Sequence, residues 1–116
     1  MRSLRELFSG IQVKNTAITP QEAHQMMRSS NDYILLDVRT PNEYKQRHID
    51  GAKLIPVDDL SVRAAVELPD KQTPVLIYCQ SGARAGRAVK ILTEAGYTKA
   101  RSIGSIMNWP YGTVKE

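Results

Sequence analysis

The sequence predicts an α/β domain: a parallel sheet covered by helices on both faces. Short apolar runs at 33–38, 53–55, 75–78 and 101–103 read as strands. The segments between them carry helical periodicity and begin with capping signals. The sharpest switch from one period to the other falls within 74–89, around the only cysteine in the chain.

Residues 1–15 place Leu4, Leu7, Phe8 and Ile11 at helical spacing with Arg2, Arg5 and Glu6 between them. They are read as an amphipathic N-terminal extension ahead of a domain spanning 16–116. Its first reading is a helix packed on its own domain; a docking segment, dimer contact or targeting peptide are the alternatives. Thr19-Pro20-Gln21-Glu22 is a capping box with proline at the first helical position. It opens a helix through about Arg28, whose buried face would be Ala23, Met26 and Met27. The polar run 29–32 breaks it. The strand at 33–38 runs into Arg39 and a second capping box, Thr40-Pro41-Asn42-Glu43, which opens a short helix through Arg47. A turn at Asp50-Gly51 ends that helix.

A brief strand, 53–55, stops at Pro56, and Asp58 or Asp59 caps a helix through Leu60, Ala64 and Ala65. Residues 68–73 loop into the central strand, 75–78, whose unbroken apolar character fits burial on both faces. Ala85, Ala88, Val89, Leu92 and Ala95 then recur at helical spacing, and Gly96 stops the run. The last strand is 101–103, followed by a terminal helical turn, 104–109, before Pro110.

This order puts Cys79 where a strand turns into a helix. Asp37 also falls at the carboxyl end of a strand and Arg39 just beyond it, at the rim where parallel sheets build their sites. Unpaired N–H groups and the dipole at a helix start stabilise an anion, and Arg84 adds a full positive charge. Those conditions favour a thiolate. A lone cysteine is ordinarily a small buried hydrophobe. The combination with Gly82, Arg84 and the change of period favours the reactive reading.

Composition narrows the classes. The chain has 116 residues, 41% hydrophobic and 24% charged, as in one soluble globular domain. A single cysteine makes no internal disulfide, and Cys79 with the separated His24 and His48 offers no zinc spacing. No metal or cofactor is therefore expected. No apolar run reaches transmembrane length and no signal-peptide core follows Met1, so a cytoplasmic, membrane-free protein is expected. The net charge of +4 is spread among acidic residues, which argues against nucleic-acid binding.

The segment Cys79-Gln80-Ser81-Gly82-Ala83-Arg84-Ala85 resembles the active-site loop of single-domain rhodaneses. The resemblance extends to Asp37-Val38-Arg39, Glu43-Tyr44, His48-Ile49 and Gly51-Ala52, and to the closing stretch from Tyr97 through Ile103, Gly104 and Trp109. It covers roughly 17–110. Two departures stand out: Arg47-His48-Ile49 where Gly-His-Ile is usual, and Gly104-Ser105-Ile106 where Gly-Gly-Ile is usual.

The resemblance implies a three-layer rhodanese-like fold with a central parallel sheet of about five strands. It implies a thiosulfate sulfurtransferase in which Cys79 takes a sulfane sulfur from thiosulfate or a persulfide and passes it to a thiol, or to cyanide in vitro. Backbone N–H groups of Gln80, Ser81, Gly82, Ala83, Arg84 and Ala85 would cradle that sulfur, and Gly82 would supply a positive φ. Arg84 either binds the anionic donor or braces the loop through backbone carbonyls. Asp37 and Arg39 are a structural pair at the rim, Glu43 an N-cap partner and His48 a packing residue. Arg87 and Lys90, on the exposed face of the following helix, would attract an acidic donor or protein partner.

Two alternatives remain at this point. One is a phosphatase or arsenate reductase of the Cys-loop-Arg type; the other is a sulfur-relay module serving another protein. The four residues between Cys79 and Arg84 are one fewer than those phosphatases use, which disfavours a tetrahedral phosphate.

Overall fold

A computed structural model of the protein describes residues 16–116; the reading of residues 1–15 lies outside the described residues. Four helices and four strands alternate: α1 Pro20–Ser29, β1 Ile34–Asp37, α2 Pro41–Gln46, β2 Lys53–Leu54, α3 Leu60–Glu67, β3 Val75–Cys79, α4 Ala83–Glu94 and β4 Ala100–Ser105. The strands pair in the order β2-β1-β3-β4, all parallel. The fifth position of the sheet is filled by a single parallel bridge between Ala17 and Ser102, where the Ile18 N–H meets the Ser102 carbonyl at 2.9 Å.

Local chemistry accounts for the helix starts. Thr19 and Thr40 each accept from the N–H three residues on, while Glu22 and Glu43 reach back to the cap N–H, closing both capping boxes. The acidic cap expected for α3 does not form. A 3₁₀ turn, Val57–Asp59, runs straight into α3 and holds Asp59 at φ −97°, ψ −7°, away from the extended backbone a capping side chain needs. Asp59 pairs instead with Arg63 at 3.6 Å, and Asp58 with Arg87 at 2.7 Å. The buried face of α1 is also narrower than the periodicity predicts. Ala23 is buried and Met27 half-buried, but Met26 is exposed. This helix covers the β4 side of the sheet, so only one thin stripe of it meets protein.

The two faces of the sheet separate by the two-residue period of a strand. Leu36, Val38, Val75, Ile77 and Cys79 belong to the core under α3 and α4. Leu35, Leu76, Tyr78 and Ile103 belong to the core on the other face, with Ala23 of α1, Tyr44 of α2 and Trp109. Cys79 and Tyr78, adjacent in sequence, therefore point to opposite sides. From β1 the chain runs out to the β2 edge, and from β3 it runs the other way to β4. The carboxyl ends of β1 and β3 thus flank the point where the winding reverses, the position where a crevice forms in an open parallel sheet.

Candidate active site

The strand-to-helix junction supplies the centre of the site. Gly82 is the N-cap of α4 at φ +104°, a conformation that a side-chain-bearing residue adopts only with strain, and it has no side chain with which to cap the helix. The sulfur of Cys79 fills that role. It accepts from the Gly82 N–H at 2.9 Å and from the Ala85 N–H at 3.3 Å. Ala85 is the third residue of α4, so its N–H is one of the donors left unpaired by the helix itself. Cys79 is fully buried. Of the six cradle residues expected, Gly82 and Ala85 hydrogen-bond the sulfur directly; Gln80, Ser81, Ala83 and Arg84 complete the turn around it.

Two charged pairs hold this junction to the first half of the chain. Asp37 and Arg39 form one, both essentially inaccessible to solvent. Arg39 Nε and Nη2 donate to the Asp37 carboxylate at 2.7–3.2 Å, and the Arg39 N–H adds a bond at 2.9 Å. The Tyr78 hydroxyl donates to Asp37 Oδ2 at 2.7 Å and accepts from the Ile49 N–H at 3.0 Å. Parallel register makes this contact: Asp37 lies opposite Tyr78, and both project to the same face. The remaining Arg39 donors reach the Arg47 carbonyl (2.6 Å) and Gln80 Oε1 (3.2 Å), tying the rim to the first residue after Cys79. Burial opposes the charge on Arg39, but the bond and charge of Asp37 more than offset it and raise its pKa. Burial, with the Asp37 charge, pushes the Tyr78 phenol well above its ordinary range, so it remains a proton donor.

Glu43 and Arg84 form the second pair, with side chains 29% and 30% exposed. Arg84 Nη1 and Nη2 donate to the two Glu43 oxygens at 2.8 and 3.0 Å, a fork-to-fork pair. Arg84 holds the Glu43 carboxyl down at about 2. Glu43 is therefore both an N-cap partner of α2 and the anchor of Arg84. The backbone carbonyls proposed as partners for Arg84 are replaced by this carboxylate, which satisfies the fork with two charge-assisted bonds.

Ser105 supplies a link that the sequence did not reveal. Opposite β3, β4 carries a bulge: Ile77 pairs with Ser102 but Tyr78 with Gly104, and Gly104 has φ +91°. The bulge sets Ser105 beside Cys79, where its hydroxyl donates to the Gln80 carbonyl at 2.5 Å and accepts from the Met107 N–H at 2.9 Å. His48 is kept in packing. It stacks on Tyr44 at 3.7 Å, its Nδ1 meets the Tyr44 carbonyl at 2.9 Å, and its backbone bridges to Val114. An opening of about 350 Å³ lies beside the junction, lined by Arg39, Glu43, Gln46, Arg47, Gln80 and Met107.

The rhodanese-like domain family matches residues 19–110. The chain is 39% identical to the thiosulfate sulfurtransferase PspE of Escherichia coli over 69% of its own length and 77% of that protein's. It is 38% identical to a probable adenylyltransferase/sulfurtransferase, MoeZ of Mycobacterium tuberculosis, over 83% of this chain but only a quarter of that relative. Among solved structures, a rhodanese with anions from E. coli superposes with a TM-score of 0.69 at 37% identity, covering 72% of this chain and 99% of the other. With the β2-β1-β3-β4 sheet, the strand-to-helix cysteine loop and these likenesses in agreement, the chain belongs to the rhodanese-like domain family.

Proposed function

We propose that the protein is a sulfurtransferase that carries sulfane sulfur on Cys79 and uses thiosulfate or a persulfide as donor. The observation that carries this reading is the Cys79 sulfur seated at the start of α4 on the N–H groups of Gly82 and Ala85. A thiolate there is stabilised by two backbone donors and the helix dipole, and an added sulfur bearing the same charge stays near them. In the reaction, the Cys79 thiolate attacks the outer sulfur of thiosulfate. The sulfur–sulfur bond to the sulfonate breaks, and sulfite leaves with the electron pair. Cyanide or a thiolate then attacks the terminal sulfur of the persulfide, and the Cys79 thiolate is released. No proton has to be removed from the nucleophile once it is ionised, so His48 has no general-base task.

In this scheme Gln80, Ser81, Gly82, Ala83, Arg84 and Ala85 form the sulfur cradle, and Asp37 with Arg39 holds the rim. The bidentate Glu43 pairing supports a loop-bracing role for Arg84 over donor binding. Residues 16–116 form the catalytic domain, in a cytoplasmic protein with a small-molecule acceptor. A relay to a protein acceptor is the second reading, favoured by the likeness to MoeZ; Lys90 would then face an acidic partner, with Arg87 joining it by exchanging its exposed Asp58 pairing. The reading is tested by thiosulfate:cyanide transfer. Wild type should form thiocyanate and Cys79→Ser should form none while keeping its fold. Residual transfer in Cys79→Ser near the wild-type rate would refute it.

A further inference from the structure

Three arginines surround the cysteine loop, and their partners differ. Arg39 spends its Nε and Nη2 donors on Asp37 and the Arg47 carbonyl, and Nη1 on Gln80. Both terminal nitrogens of Arg84 are held by Glu43. Each of these two cations is neutralised by its own carboxylate. Among the described residues, the Arg47 guanidinium is in no ion pair. Its side-chain contact is from Nη2 to the Met107 sulfur at 3.3 Å, and a thioether is a weak acceptor. Arg47 and Met107 both line the opening beside Gln80, and Met107 is 64% exposed. The net charge lining that opening is therefore the single positive charge of Arg47.

The backbone makes this placement firm. Arg47 ends α2 in extended conformation, with its N–H on the Glu43 carbonyl and its own carbonyl on Arg39. Its position is thus fixed while, among the described residues, its guanidinium is held by a sulfur that an oxyanion would displace. A planar fork with free N–H groups suits a sulfonate or carboxylate.

From this charge balance we infer that Arg47 is the donor-selecting residue. It binds the anionic end of the sulfur donor at the mouth of the site, with Met107 as a soft rim beside it. The inference rests on the sulfur-transfer reading and names a residue other than Arg84 for donor binding. With thiosulfate, the sulfonate would meet Arg47 while its outer sulfur enters toward Cys79, and the departing sulfite would leave against the same positive charge.

The test compares kcat/KM for sulfur loading of Cys79 from thiosulfate and from an alkyl persulfide that carries no sulfonate or carboxylate, in the full chain and in Arg47→Gln and Arg47→Lys. A lost charge-assisted bond corresponds to roughly a 10- to 100-fold effect. The thiosulfate-to-persulfide ratio should fall by about that factor in Arg47→Gln, through KM for thiosulfate, and recover in part in Arg47→Lys. Raising the salt concentration should lower the wild-type ratio more than that of Arg47→Gln. Equal ratios in wild type and both variants would overturn the assignment of Arg47 alone. Absence of any Cys79 persulfide in wild type with either donor would overturn the sulfur-transfer reading, and the inference with it.

Discussion

The two charged pairs that hold the cysteine junction invite comparison because they do the same topological job in different surroundings. Asp37–Arg39 is sealed under the sheet rim, with Tyr78 as a third member; Glu43–Arg84 lies at the surface, about one-third exposed. A buried carboxylate stripped of its partner keeps a charge that water cannot reach, whereas a surface carboxylate is rehydrated. The buried pair should therefore govern whether the domain folds, and the exposed pair how well the loop is held. The Arg47 guanidinium stands outside both pairs, which is why it is the one proposed to meet a ligand.

The largest effect should come from breaking the sealed pair. Arg39→Ala leaves Asp37 buried with Tyr78 and is expected to cost about 3–5 kcal/mol, read as a lower urea midpoint. Arg84→Ala should cost only about 0.2–1 kcal/mol yet slow sulfur transfer from thiosulfate and from an alkyl persulfide alike, since it loosens the loop. Equal destabilisation by the two changes would show that burial does not separate the two pairs.

Gly82→Ala probes the junction from the backbone side. Its added methyl group has space, with only the Gly104 Cα near at 4.0 Å, but φ +104° strains any residue with a side chain. A loss of about 1–2 kcal/mol is expected, with slower alkylation of Cys79. Ser105→Ala should have a smaller stability effect, about 1 kcal/mol, while lowering kcat by freeing the Gln80 carbonyl. Ser105→Thr should restore part of it.

Acid should separate the pairs further. Arg84 lowers the Glu43 carboxyl from 4.5 to about 2. The pairing thus contributes its full stability above about pH 4.5 and loses it as the pH falls toward 2. The urea midpoints of wild type and Glu43→Gln, followed through Trp109 fluorescence, should differ most above pH 4.5 and converge below it. A gap that does not change from pH 6 to pH 2 would show that the charge on Glu43 is not what holds Arg84.

Much of this arrangement could be read from the sequence because it is local. The strand-to-helix switch at Cys79, the positive φ of Gly82, and the two capping boxes are all set by residues within a few positions of one another. The Asp37–Arg39 pairing belongs to the same class. What the sequence concealed depends on register. Glu43 meets Arg84, Arg39 meets Gln80 and Tyr78 meets Asp37 across 41 residues each, distances closed only by the parallel pairing of β1 with β3. Ser105 reaches Gln80 only because a bulge shifts β4 by one residue. Met26 shows the converse limit: helical spacing identified a stripe, but the edge position of α1 decided how much of it was covered.

The central claim is that Cys79, seated at the start of α4, is the atom that carries sulfur. It is tested most directly by the intact mass of the protein after incubation with thiosulfate, and again after addition of cyanide. The wild-type protein should gain one sulfur atom and lose it to cyanide, while Cys79→Ser should gain none. No sulfur adduct, together with aryl phosphate hydrolysis that disappears in Cys79→Ser, would contradict the account in favour of a phosphatase.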